Sequence, residues 1–211
     1  MKLRVLVIAL AVAFAPALAA TAAPKPEQTV DMAEVLKPGP LPELSFGPDN
    51  GVAIVEYGSV TCPHCAVFDH EIWPKVKAAY VDTGKVRYIF REFSRNPLDV
   101  AAFTLARCVG DDKDKTMATI ELLFATQEKW AFTDNPLEPL LAALRPTGLG
   151  RDKAMACLKD NALIGKVRAI TDTAEKVVKV QGTPTFVIDG KSYGGELSLA
   201  DFDELLKPLV K

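Results

Sequence analysis

The sequence predicts an α/β fold in which sheet-forming segments flank an all-helical insertion. Three observations carry that expectation. Residues 52–93 read as strand, helix, strand, residues 97–180 show helical periodicity alone, and residues 185–193 read as a β-hairpin ahead of a last helix. Two strands joined through a helix form a right-handed βαβ unit with a parallel pair, which places a sheet on both sides of the insertion.

The first 22 residues stand apart. Lys2 and Arg4 make a short basic start, Val5 to Ala15 is unbroken apolar sequence, and Ala17-Leu18-Ala19 and Ala20-Thr21-Ala22 each fit a small-x-small cleavage site. That order predicts a secretory signal peptide cleaved near residues 19–22. A membrane anchor is the rival reading. Against it, Pro16 interrupts the run and its second half is mostly Ala, whereas a spanning helix wants about 20 predominantly apolar residues. The whole chain carries 25 Lys and Arg against 27 Asp and Glu, a net of −2, and losing Lys2 and Arg4 takes it to −4. A mildly acidic chain lacks the basic footprint of a nucleic-acid or anionic-lipid binder, so no nucleic-acid partner is expected. The remaining ~190 residues suffice for one full core. Residues 23–43, rich in proline, read as a mobile lead-in with room for a short helix around 31–36.

Taken in order, residues 52–57 (VAIVEY) are apolar and β-branched between Asn50-Gly51 and Gly58-Ser59, which marks a buried strand. From Cys62 the chain reads helical to about Tyr80, with Thr61 as a cap, Pro63 harmless in the first turn and Pro74 deep enough to kink it. Asp82-Thr83-Gly84 stops that helix, and residues 85–93 (KVRYIFREF) form the second strand. In the insertion, residues 98–109 make a short helix, Met117, Ile120 and Phe124 line a second, and Leu137, Leu140, Leu141 and Leu144 a third. Leu163, Val167, Ile170, Ala174 and Val177 then form an amphipathic stripe. These stripes read as core, Trp73 and Trp130 as packing, and His70 as a surface residue. Asp189-Gly190 turns the hairpin, and Ser198 with Asp201 resembles a capping box that opens a helix running to Val210.

Four cysteines in an exported chain face an oxidising compartment. Cys62 and Cys65 form a C-x-x-C, and Cys108 and Cys157 stand alone. Zinc is disfavoured because a structural site needs four ligands, usually from two such knuckles, and a second knuckle is missing; no metal and no cofactor are expected. At the strand-to-helix junction, unpaired amides and the helix dipole should stabilise a Cys62 thiolate and depress its pKa, with His64 adding a donor and, when protonated, a charge. Cys65 shares the helix face with Cys62, so the two can form a disulfide. Cys62 is expected to be the exposed attacking sulfur and Cys65 the buried resolving one. A structural bridge is the bland alternative, but a four-residue ring constrains an unfolded chain little. Cys108 and Cys157 read either as reduced small hydrophobes or, since unpaired thiols are a liability after export, as a second, structural disulfide.

Cys62-Pro63-His64-Cys65 after VAIVEYGSVT, a helical insertion, and Gly182-Thr183-Pro184-Thr185-Phe186 before a strand together resemble the DsbA family over roughly residues 44–211. The resemblance implies a thioredoxin fold (residues 44–96 and 181–211) with an inserted all-helical subdomain (97–180). It implies a periplasmic thiol–disulfide oxidoreductase that donates its Cys62–Cys65 disulfide to reduced exported proteins and is reoxidised by a membrane partner of the DsbB type. Pro63 and His64 would tune the site. Glu56, six residues before Cys62, matches a buried acid that handles protons during exchange, its bland alternative being a solvated edge residue. Thr183-Pro184 matches a cis-proline loop that holds incoming peptide. The best-known enteric oxidase carries Val before that proline, whereas Thr occurs in the isomerase branch and in several DsbA-like proteins. An isomerase or reductase therefore stays beside the oxidase as an alternative, as does a non-catalytic export chaperone or zinc-binding module. An N-terminal dimerisation domain of the kind the isomerases use is not expected from these residues, and a monomer is expected.

Overall fold

The computed structural model describes residues 23–110 and 112–210; the predicted leader, residues 1–22, lies outside them. Among the described residues, six strands form one sheet: β1 Gln28–Thr29, β2 Leu44–Phe46, β3 Val52–Gly58, β4 Val86–Glu92, β5 Thr185–Ile188 and β6 Lys191–Gly194. Their order is β1-β6-β5-β3-β4-β2. β3 lies parallel to β4 and antiparallel to β5, so Glu56 sits between Phe90 and Phe186. The strand is central because Ile54 joins the larger core on one face while Val55 and Tyr57 join a second core on the other. Side chains alternate across a strand, and both faces here are covered. Gly58 ends it under close contact, since a Cβ there would lie 2.6 Å from the Phe90 ring.

The helices are α1 Met32–Val35, α2 over residues 63–81, α3 Pro97–Cys108, α4 Lys113–Ala125, α5 Gln127–Trp130, α6 Leu137–Ala143, α7 Arg151–Cys157, α8 Asn161–Val177 and α9 Leu199–Leu206. In α2, α-helical turns at Pro63–Val67 and Trp73–Val76 alternate with π-type turns at Phe68–Ile72 and Lys77–Val81. Pro74 has no N–H for a regular ladder, and the distortion expected there takes the form of the π turn just ahead of it. α2 packs on the sheet and on α9 through aromatic rings: Trp73 stacks on Tyr88 with centroids 3.9 Å apart, and Phe68 lies 4.7 Å from Phe186 of β5 and 5.8 Å from Phe202 of α9. Trp130 is fully buried and donates its indole N–H to the Leu123 carbonyl at 3.0 Å. The hairpin turn has φ of 48° at Asp189 and 72° at Gly190, the pairing that a two-residue turn between twisted strands requires. Ser198 and Asp201 form both bonds of the capping box on α9.

The lead-in carries the short helix expected around residues 31–36, as α1, but it is tied to the sheet at several points. Its Gln28–Thr29 pairs with β6, Asp31 caps α1 by accepting from the Ala33 N–H, and Arg91 of β4 ties the following strap down through the carbonyls of Val35 and Lys37 and the Glu43 carboxylate. Strands of two and three residues carry no readable alternation, which is why β1 and β2 escape a periodicity reading. In the insertion, Cys108 at the end of α3 is bonded to Cys157 at the end of α7, with Cα atoms 6.4 Å apart.

Candidate active site

β3 delivers the chain to a tight loop, residues 59–62, from which α2 starts. Cys62 is the N-cap, with extended φ and ψ of −91° and 119°, and Pro63 occupies the first turn. The carbonyl of Cys62 accepts the first helical bond from Ala66 at 3.2 Å. Cys62 and Cys65 are present as free thiols.

The loop is held from two helices of the insertion. The fully buried Asp99 of α3 accepts from the Ser59 hydroxyl at 2.9 Å, from the Thr61 N–H at 2.9 Å and from the Thr61 hydroxyl at 3.1 Å. Gln127, the first residue of α5, donates its side-chain amide to the carbonyls of Val60 at 2.7 Å and Cys62 at 3.0 Å. From the far end of the sequence, the Thr183–Pro184 peptide is cis and presents the Thr183 carbonyl to the Cys62 sulfur at 3.2 Å.

Exposure does not separate the two cysteines as the sequence suggested: Cys62 is 2% exposed and Cys65 fully buried. The Thr183 carbonyl lies against the first sulfur. What separates them is electrostatic environment. The Cys65 thiol hydrogen-bonds the Cys62 sulfur and, with the backbone N–H groups of Cys65 and His64, lowers the Cys62 pKa to about 5. Cys65 faces the sheet, where burial pushes its pKa well above the usual thiol range, although the Ser59 N–H points at its sulfur from 3.5 Å.

Glu56 is 1% exposed, which removes the edge reading. Burial raises its pKa to about 8, against the opposing hydrogen bond from the Tyr88 hydroxyl. A carboxyl in that range stays protonated at neutral pH and can exchange a proton with the neighbouring thiol. His64 is exposed and pairs through Nδ1 with Glu196, on the segment after β6; the hydrogen bond to Glu196 raises its pKa. His70 lies on an exposed part of α2. Cys108 and Cys157, bonded to each other, are likewise no part of the site.

Asp99, Gln127 and Glu196 were not singled out from the sequence. Asp99 sits three residues after Asn96, whose side chain accepts from the Asp99 N–H, so it reads as an ordinary residue of a helix start. Gln127 and Glu196 reach the site only through tertiary structure. The arrangement pairs an ionisable thiol with a thiol held neutral and a carboxyl able to carry a proton, a set suited to thiol–disulfide exchange.

Residues 47–208 match the family model for thioredoxin. A Rickettsia conorii protein designated a protein-disulfide oxidoreductase is 34% identical over 145 residues, 69% of this chain and 52% of that protein. Disulfide bond formation protein D of Bacillus subtilis is 27% identical over 169 residues, 77% of this chain and 73% of that protein. Among solved structures, alpha-DsbA1 of Wolbachia pipientis superposes with a TM-score of 0.75 at 25% identity, over 83% of this chain and 94% of that one. The chain spans about half the length of the Rickettsia relatives it matches.

Proposed function

The chain belongs to the thioredoxin family, in its DsbA-like branch, and on that premise we propose that it is a protein thiol–disulfide oxidoreductase that oxidises reduced, newly exported polypeptides. The observation that carries this reading is the opposite poise of two thiols on one helix start. Cys62 is held as a ready thiolate and leaving group, while Cys65 is held neutral beside Glu56.

In the reaction a substrate thiolate attacks the Cys62 sulfur of the Cys62–Cys65 disulfide. The Cys65 sulfur leaves, and the Glu56 carboxyl supplies its proton. A second substrate thiolate then attacks the substrate sulfur of the mixed disulfide and expels the Cys62 thiolate, whose low pKa makes it a good leaving group. Two electrons pass to the cysteine pair, and the substrate gains one disulfide. The carbonyl of Thr183, beside the reacting sulfur, offers backbone pairing to an extended peptide. From Thr61, the residue before Cys62, runs a groove of about 710 Å³ lined also by Asn96, Leu98, Phe132 and Leu137, with Phe132 58% exposed. Such a surface suits an unfolded chain with apolar side chains near its cysteine.

The leader-like residues 1–22 and the Cys108–Cys157 bond support an exported, oxidising setting such as the periplasm. Reoxidation then requires a membrane partner of the DsbB type. Acid quenching of intact cells followed by alkylation tests the direction. Cys62 and Cys65 found oxidised fit the oxidase, and the pair found reduced makes the chain an isomerase or reductase.

A further inference from the structure

Resting on that redox reading, we propose that Gln127 is a positioning residue that sets the reactivity of Cys62 from within the helical insertion. The buried Gln127 side chain bonds the carbonyls on both sides of Thr61, at Val60 and Cys62. A side-chain amide nitrogen carries two protons, and both are committed to this loop. The second goes to the group that also starts α2, since the Cys62 carbonyl accepts from Ala66.

Asp99 does not duplicate this work. It takes donors of the loop, the Ser59 hydroxyl and the Thr61 N–H and hydroxyl, whereas Gln127 takes acceptors. Residues 59–62 are thus suspended between an acid on α3 and an amide on α5, and the second contact reaches the reacting residue itself. Two consequences follow for the sulfur. The bonds hold Cys62 in the extended N-cap conformation that aims its side chain at the amides of His64 and Cys65. The amide protons also offset the negative end of the Cys62 carbonyl next to the thiolate. Without Gln127, two buried carbonyls lose a donor, the loop is free to turn, and the thiolate loses stabilisation.

A purely structural role, in which Gln127 only satisfies carbonyls between two parts of the fold, would lower stability and leave the thiol chemistry alone. The titratable groups that face Cys62 are Cys65 and His64 on α2 and Glu56 on β3, with Glu196 and Arg95 acting on His64. Gln127 carries no charge of its own, so a change in the Cys62 profile on replacing it by Met reports positioning and hydrogen bonding.

The test uses the full chain with its Cys108–Cys157 bond intact, comparing Gln127→Met and Gln127→Glu with the native protein. Met keeps the length of the side chain. Glu keeps its shape and, when ionised, offers no proton to either carbonyl. The midpoint of Cys62 alkylation with pH should rise by about half to one unit in the Met variant and further in the Glu variant. The equilibrium with glutathione should become about 3- to 10-fold less oxidising. If Met at this position prevents folding, the equally uncharged Gln127→Asn, too short to reach both carbonyls, carries the test alone. Unmoved midpoints and an unmoved glutathione equilibrium, with only the melting temperature lowered, would make Gln127 structural and overturn the proposal. A native chain with no depressed Cys62 midpoint would instead overturn the redox reading on which it rests.

Discussion

The sulfur of Cys62 lies 3.2 Å from the carbonyl oxygen of Thr183, across 121 residues of chain. That contact joins the start of α2 to the cis-proline loop ahead of β5 and sets the Cys62 thiol against the backbone of Thr183. It also helps enclose the sulfur, which is 2% exposed, so the proposed exchange requires that contact to be displaced.

The two cysteines should fail differently. Cys62→Ser should abolish exchange. Cys65→Ser should accumulate mixed disulfides through Cys62, because the resolving sulfur is gone. Non-reducing gels of both variants after reaction with an unfolded protein that carries a disulfide, which the Cys62 thiolate can attack, check this, and equal trapping by the two would reverse the assignment.

His64 supplies positive charge near Cys62, and its hydrogen bond to Glu196 raises its pKa. The charge is fully present below the ordinary His value of about 6.5 and is lost as pH rises through the raised one. His64→Pro removes that charge and a donor, so the reduction potential should become more negative, most clearly on the acidic side of this window. Redox titration against glutathione at several pH values measures it; a more oxidising variant contradicts the account.

Glu56 makes a prediction of opposite sign to a salt-bridged acid. Its folded pKa of about 8 lies above the unfolded value of about 4.3, so the folded state binds more protons and stability falls as pH rises between the two. Glu56→Gln can keep the Tyr88 hydrogen bond and removes that titration. The variant should therefore gain stability over the native chain as pH goes from 5 to 8, while its exchange slows because the Cys65 proton loses its carrier. Urea unfolding at both pH values with parallel exchange rates gives the answer. A stability difference independent of pH would mean that Glu56 does not titrate in this window.

The Cys108–Cys157 bond closes a span of 49 residues. The chain-entropy model sets its contribution at up to about 4 kcal/mol. Replacing both cysteines by Ala should lower stability toward that extent and leave the glutathione equilibrium of the Cys62–Cys65 pair unchanged. A shifted equilibrium would show coupling between the insertion's disulfide and the site.

Local signals were readable where local chemistry decides structure. The VAIVEY run, the Asp189-Gly190 turn and the Ser198–Asp201 box each specify backbone shape within a few residues. The Cys62–Cys65 spacing at a helix start did the same for the site. The remainder depends on distance in sequence. β1 and β2 are held by partners far along the chain, Asp99 looked like a helix-start acid, and Gln127 sits 65 residues from the carbonyl it bonds. The enclosure of Cys62 belongs to the same class, since its cover arrives with Thr183.

The preference proposed for the reduced site rests on its stabilised thiolate, and the stability of the two redox forms tests it most directly. The Cys62–Cys65 bridge restrains the unfolded chain through a four-residue ring, worth about 2 kcal/mol to the oxidised form. The thiolate's contribution is complete above the unfolded pKa of about 8.5 and is lost as pH falls through the folded one. At pH 7 it exceeds about 2 kcal/mol once the folded pKa lies below about 5.6, and Cys62 is held at about 5. Thermal unfolding at pH 7, in a Cys108→Ala, Cys157→Ala background so that a single bridge is varied, should find the reduced form melting above the oxidised form. A reduced form that melts below the oxidised one would contradict the account and mark the chain as a weaker oxidant, an isomerase or a reductase.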